Sequence, residues 1–237
     1  MPPIITSTPV QIPIGITLID PVDIIQKKLN IALRDELNRV FPKALPAIQS
    51  AIQNRSVTFF ETAPEAIALI NGPLDAHFGI PAGEAKSRVW KIIETVVNNI
   101  EVSFTRISIR GTNFGGGFTV GAVISDFSDV LNLPEAHIIT DKGEDLPWLE
   151  WLLKKGNTII IGDYSIKFGD YTSSHGFWNS RSGKAIMIKQ DGGLWRVPPQ
   201  YAGTVRNNWL THSIADMSEA WLDMIGDVMQ EQIEKAI

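Results

Sequence analysis

Residues 146–169 read LPWLEWLLKKGNTIIIGDYSIKFG, and residues 180–214 read SRSGKAIMIKQDGGLWRVPPQYAGTVRNNWLTHSI. In the first stretch Trp148, Leu152 and Lys155 fall at i, i+4 and i+7, which predicts a helix over 145–155. Ile159–Ile161 and Tyr164–Phe168 then flank Gly162-Asp163, which reads as a short hairpin turn. In the second stretch Ala185–Lys189 and Leu194–Val197 flank Gln190-Asp-Gly-Gly193, a second hairpin of the same kind. A helix feeding hairpins implies helices packed against an antiparallel sheet, an α+β fold.

The flanking sequence extends this plan in both directions. Val10, Ile12, Ile14, Ile16 and Leu18 share one parity and polar or small residues hold the other, the period-two mark of a strand with one apolar face. Pro13 cannot donate to a ladder, so this segment reads as an edge strand or as an arm laid on a neighbouring subunit. Asp20-Pro21 then resembles a helix start, and Val22, Ile25, Leu29, Leu33, Leu37 and Val40 form an apolar stripe. Pro42 is expected to end or kink that helix, with a second short helix over 43–54. The spacing Thr62-Ala-Pro-Glu65 proposes a capped helix over 64–70, and a further helix is expected over 84–99. Val102–Ile109 and Phe118–Ile124 read as strands, with a bulge near Thr105-Arg106 where the parity switches. Arg110–Gly117 reads as a flexible loop between them, and a closing helix is expected over 213–236. The resulting division is an N-terminal arm, 1–19, and one domain, 20–237, with a helical part 20–100, a β-rich part 101–205 and the C-terminal helix.

Composition narrows the function. The chain has no cysteine, which removes disulfides, thiolate metal sites and cysteine nucleophiles. Its net charge of −5 does not favour wholesale nucleic-acid binding. No apolar run reaches the roughly 20 residues that span a bilayer, so no membrane partner is expected. The first residues lack the basic and continuous apolar segments of a signal peptide, and a protein made in the cytoplasm is expected.

Searching for chemistry yields little. His77, His137, His175 and His212 show no helical metal-ligand spacing, and there is no serine-nucleophile elbow. Gly115-Gly-Gly117 lacks the lysine and hydroxyl residue of a phosphate loop. Asp141, Glu144, Asp145 and Glu150 lie close in sequence and offer the pair of acids that a hydrolase requires. Acids before a helix are also stabilised by its dipole alone. No catalytic residue, metal or cofactor is expected.

The second quoted stretch carries a different signal. Arg181, Lys184, Lys189, Arg196 and Arg206 stand against one acid, Asp191, so this strip is positive in a negative chain. Trp178, Trp195 and Trp209 are interleaved with it. Tryptophan and arginine together are enriched at protein–protein hot spots. The same pairing also serves DNA-binding modules, where cations sit beside stacking aromatics. Val10, Ile12, Ile14 and Ile16 join these residues as candidate interface positions.

Ile70-Asn-Gly-Pro-Leu-Asp-Ala-His-Phe-Gly-Ile80, Leu146-Pro-Trp-Leu-Glu-Trp-Leu-Leu153, Trp195-Arg-Val-Pro-Pro-Gln-Tyr-Ala-Gly-Thr204 and Asn207-Asn-Trp-Leu-Thr211 resemble segments of tailed-bacteriophage virion proteins assigned to the neck or head–tail junction. The resemblance covers roughly residues 60–215 and carries no catalytic residues. It implies a virion structural protein that forms a ring-shaped homo-oligomer, as a head–tail connector, completion or tail-terminator protein. Its partners would be itself, neighbouring neck, portal or tail proteins, and DNA passing the ring non-specifically. The rival expectations are a virion-associated hydrolase using the acids near 141–150 and a DNA-binding module using the strip 181–206.

Overall fold

The computed structural model describes residues 22–111, 113–122, 127–171 and 180–235. The alternating segment with Val10, Ile12, Ile14 and Ile16 lies outside these residues, as does Trp178. In chain order the elements are α1 (Val22–Thr62), α2 (Pro64–Asn71), α3 (Leu74–Phe78), α4 (Ala85–Asn98), β1 (Ile100–Arg110), β2 (Asn113–Ala122), α5 (Ser128–Leu131), a 3-10 turn (Pro134–Ala136), β3 (Ile138–Ile139), β4 (Asp145–Leu146), α6 (Trp148–Lys154), β5 (Ile161–Phe168), β6 (Ala185–Trp195) and α7 (Trp209–Glu234). The fold is α+β, as expected. Among the described residues the strands form three separate two-stranded antiparallel sheets, not a single sheet.

α1 does not stop at Pro42. It runs through Pro42 and Pro46 to Thr62 as one helix of 41 residues. Both prolines are exposed and sit one turn apart. The carbonyls that lose an N–H partner therefore stand on the side open to water, which lowers the usual cost of proline inside a helix. From Val40 onward every fourth residue is buried: Val40, Ala44, Ile48, Ile52, Ser56 and Phe60. α7 runs back along this ridge. Trp209 Nε1 donates to the Phe60 carbonyl at 3.2 Å, and Trp221 Nε1 donates to Ser56 Oγ at 3.2 Å. α7 also begins earlier than the expected 213. Asn208 Oδ1 accepts from the Leu210 and Thr211 amides, while Thr211 Oγ1 accepts from the Asn208 amide, a reciprocal cap. The cap expected at Thr62 is absent. Thr62 is the last residue of α1, and its hydroxyl donates to the Thr58 carbonyl.

The first hairpin lies against α1 through two side-chain amides. Asn38 Nδ2 donates to the Ile107 carbonyl at 2.9 Å, and its Oδ1 accepts from the Ile107 amide at 2.8 Å. Gln49 Nε2 donates to the Ile100 carbonyl at 2.5 Å, and its Oε1 accepts from the Val102 amide at 2.7 Å. Two helix side chains thus stand in for a third strand and satisfy the outer edge of β1. The expected bulge is present, with the register shifting between Thr105 and Ser108. The expected loop 110–117 is mostly strand, because β2 already begins at Asn113. Gly116 faces the bulge with φ 104°, and a Cβ there would lie 2.5 Å from the Arg106 carbonyl oxygen. Only glycine fits that close approach.

The two hairpins expected after α6 are one. β5 pairs with β6 from Ile161↔Trp195 to Phe168↔Ala185. Gly162-Asp163 and Gln190–Gly193 are not chain reversals. They face each other across the ladder as an irregularity, since Gly162 pairs with Leu194 and Tyr164 with Lys189. Asp163 adopts φ 57°, and its Oδ1 accepts from the Gly192 amide at 3.2 Å. Glycine and aspartate supply the same backbone freedom to a bulge as to a turn, so local sequence did not separate the two. One hydrophobic cluster joins the later half of α1, α4, α6, the end of β6 and α7, with Trp148 and Trp209 fully buried within it.

Candidate functional site

The end of α3, the segment around Thr140–Leu146, and the β5–β6 hairpin enclose a cavity of about 570 Å³. Phe78, Trp151 and Trp195 form its aromatic floor, and His77, Tyr164, Met187, Glu144 and Arg181 are among the residues around it. The Trp195 ring stands edge-on to Trp151 at 5.5 Å and to Phe78 at 6.3 Å. Trp195 is only 4% exposed, which corrects the expectation that it projects to a partner. The irregularity at Gln190–Gly193 decides this, because it turns Leu194 outward and Trp195 inward. Trp209 is corrected likewise. It is 1% exposed and packs at the first position of α7 against the end of α1.

The basic strip separates into two kinds of cation. Lys184 Nζ pairs with Asp75 Oδ2 at 2.6 Å, and Asp75 is buried. That pair ties α3 to β6, and the lysine is committed to compensating a buried carboxylate. Arg181 Nη2 meets Asp141 Oδ1 at 3.0 Å, but the Asp141 side chain is 92% exposed, so this pair is weakly held. Lys189, Arg196 and Arg206 are exposed and form no ion pair among the described residues.

Two histidines titrate in opposite directions. Burial pushes His77 below its ordinary value against the pull of Asp75, and its ring meets Phe168 edge-on at 5.1 Å. Among the described residues neither its Nδ1 nor the buried Trp195 Nε1 has a hydrogen-bond partner. Burial alone would lower His137 as well. The Leu131 carbonyl at 2.7 Å and the Asp145 carboxylate at 2.9 Å outweigh it and hold His137 above its ordinary value. Of the four acids considered for hydrolysis, three face cations: Asp141 faces Arg181, Asp145 faces His137, and Glu150 lies 4.0 Å from Lys155, while Glu144 lines the cavity and forms no ion pair among the described residues. Among the described residues no cluster of three or more histidines or acids is arranged to hold a metal.

A second surface was missed as such by the sequence. Every residue from Val22 to Leu29 is exposed. Val22 is 75% exposed and Leu29 65%, with Ile25 and Leu33 also open to solvent. The stripe was legible as a periodic pattern, but its lack of cover was not. A cluster of exposed aliphatic side chains on an ordered helix marks a surface for another protein. Comparison with known protein families, curated proteins and solved structures finds no match to this chain.

Proposed function

We propose that this chain is a structural protein of a tailed-phage virion, forming a ring in the neck that joins head to tail. The observation that carries the reading is the uncovered first part of α1. Val22, Ile25, Leu29 and Leu33 lie on one stripe, and no described element covers them. Such a surface costs solubility in a free subunit and gains stability only when a protein is laid on it. The cavity beside β5 and β6 offers a second apolar surface, floored by aromatics and rimmed by polar groups, the anatomy of an interface anchor pocket. Two different sticky surfaces on one subunit suit head-to-tail contacts, which close into a ring when the rotation fits. The resemblance of residues 60–215 to neck proteins points the same way. Asp145 is held by the His137 ring at 2.9 Å, which favours this reading over hydrolysis by that acid.

Light scattering coupled to gel filtration tests the proposal, together with electron microscopy of assembled particles. A cyclic oligomer and density for the chain between head and tail are expected. A monomer at every concentration, absent from particles, overturns it.

A further inference from the structure

We infer that His137 is a proton-operated clasp that ties the end of α5 to the base of the β3–β4 hairpin. The inference goes beyond the ring reading and stands independently of it. Both ring nitrogens of His137 face oxygens that accept a hydrogen bond and have no proton to give. Nε2 lies 2.7 Å from the Leu131 carbonyl, and Nδ1 lies 2.9 Å from both carboxylate oxygens of Asp145. A neutral imidazole carries one N–H and serves one of these partners. The imidazolium carries two and serves both. Closing both bonds joins α5, the start of β3 and β4 at one ring.

The surroundings favour the charged ring and fix its place. Burial opposes the charge, but the Leu131 carbonyl and Asp145 outweigh it, and Glu150 of α6 adds to their pull. Lys154, also on α6, lines the same hollow and acts against it. From α4, Arg88 Nη1 donates to the His137 carbonyl at 2.9 Å and to the Pro134 and Glu135 carbonyls. Trp148 Nε1 donates to the Glu135 carbonyl at 2.9 Å. The other acids nearby are engaged elsewhere: Asp129 of α5 accepts from Asn99, Glu84 pairs with Arg88, and Glu135 acts on Lys91. Arginine and indole donors do not titrate near neutrality, so the turn stays fixed and a change of ring charge acts on the clasp alone. When the ring loses a proton, Asp145 keeps the remaining N–H, because a charged acceptor makes the stronger bond. The Leu131 carbonyl then faces a lone pair, and the end of α5 is released. His137 titrates above the ordinary histidine value, so the clasp is closed below that value and opens as pH rises through the His137 midpoint. The hairpin it anchors supplies Thr140, Glu144 and Leu146 to the cavity, so this wall is firmest in mild acid.

Nitrogen NMR of the histidine rings tests the clasp, together with amide exchange at Leu131 and Asn132, whose N–H groups bond the Phe127 and Ser128 carbonyls. The His137 signal is identified by sequential assignment. In the wild type His137 is expected to titrate above the ordinary histidine value, with both nitrogens protonated at low pH. Protection of the two amides, corrected for intrinsic exchange, is expected to fall about tenfold across the same midpoint, the equivalent of one net hydrogen bond. Asp145→Asn keeps an acceptor for Nδ1 and removes its charge. In that variant the His137 midpoint and the loss of protection are expected to move together to lower pH. In His137→Asn the protection is expected to lose this pH dependence. Asp145 is half exposed, so the test does not depend on whether His137→Asn folds. A His137 that titrates at or below the ordinary value overturns the inference. So does amide protection that ignores the titration, or an Asp145→Asn midpoint that stays in place. Each of these outcomes is read on one chain and leaves the ring reading to its own test.

Discussion

The two halves of α1 carry the same kind of apolar period and meet opposite fates. From Val40 to Phe60 the ridge is buried at every fourth residue under α7 and the rest of the core. From Val22 to Leu33 the stripe stands in water. Helix propensity and periodicity do not separate these halves. What separates them is which described elements reach them: α7 and α4 pack on the later half, while among the described residues the earlier half has one end of the β1–β2 hairpin beside it. An amphipathic pattern reports that a face needs cover. It does not say which molecule supplies it.

The sharpest way to break this comparison is to remove cover in the later half. Phe60 is fully buried, so Phe60→Ala leaves a cavity that little can collapse into. A loss of about 3–5 kcal/mol is expected, read as a lower midpoint in urea unfolding. A loss below about 1 kcal/mol would mean that the α1–α7 seam is not packed as described. Asn38 sits at the boundary between the halves. Asn38→Ala removes both hydrogen bonds to Ile107 and leaves that part of the β1 edge unpaired. About 1–3 kcal/mol is expected, with faster amide exchange at Ile107. Unchanged exchange there would show that the amide does not hold the strand.

Much of this scaffold was legible because it rests on local periods. α4, α7 and the bulge near Thr105 each follow from the spacing of apolar residues within one segment. The exceptions have physical reasons. Pro42 and Pro46 are tolerated because they face solvent, and exposure is a tertiary property that spacing does not encode. Local sequence suggests two hairpins where the structure has the single long β5–β6 hairpin, because a bulge and a turn ask for the same residues. Basic neighbours in sequence suggest a surface place for Trp195 and Trp209, while folding turns the rings inward and the cations outward. The cavity was invisible for a different reason. Its walls come from four stretches, near residues 76–79, 140–151, 161–166 and 180–195, and no local pattern links them.

The smallest expected effect on stability is the most telling for the comparison. Leu29 is 65% exposed and belongs to a helix whose neighbouring turns touch little else. Leu29→Ala removes apolar surface that the folded subunit never buried, and alanine is at least as good a helix former as leucine. Unfolding free energy measured on dilute, dissociated protein should therefore change by no more than about 0.5 kcal/mol. In Phe60→Ala the cost falls on folding, and in Leu29→Ala it should fall on association. The same Leu29→Ala protein should dissociate at higher concentration than wild type when followed by light scattering. A destabilised monomer would mean that some part of the chain already covers the stripe, and that the two halves of α1 differ less than their exposure implies. An unchanged monomer with unchanged association would leave Leu29 outside the interface and shift the contact to another part of the stripe.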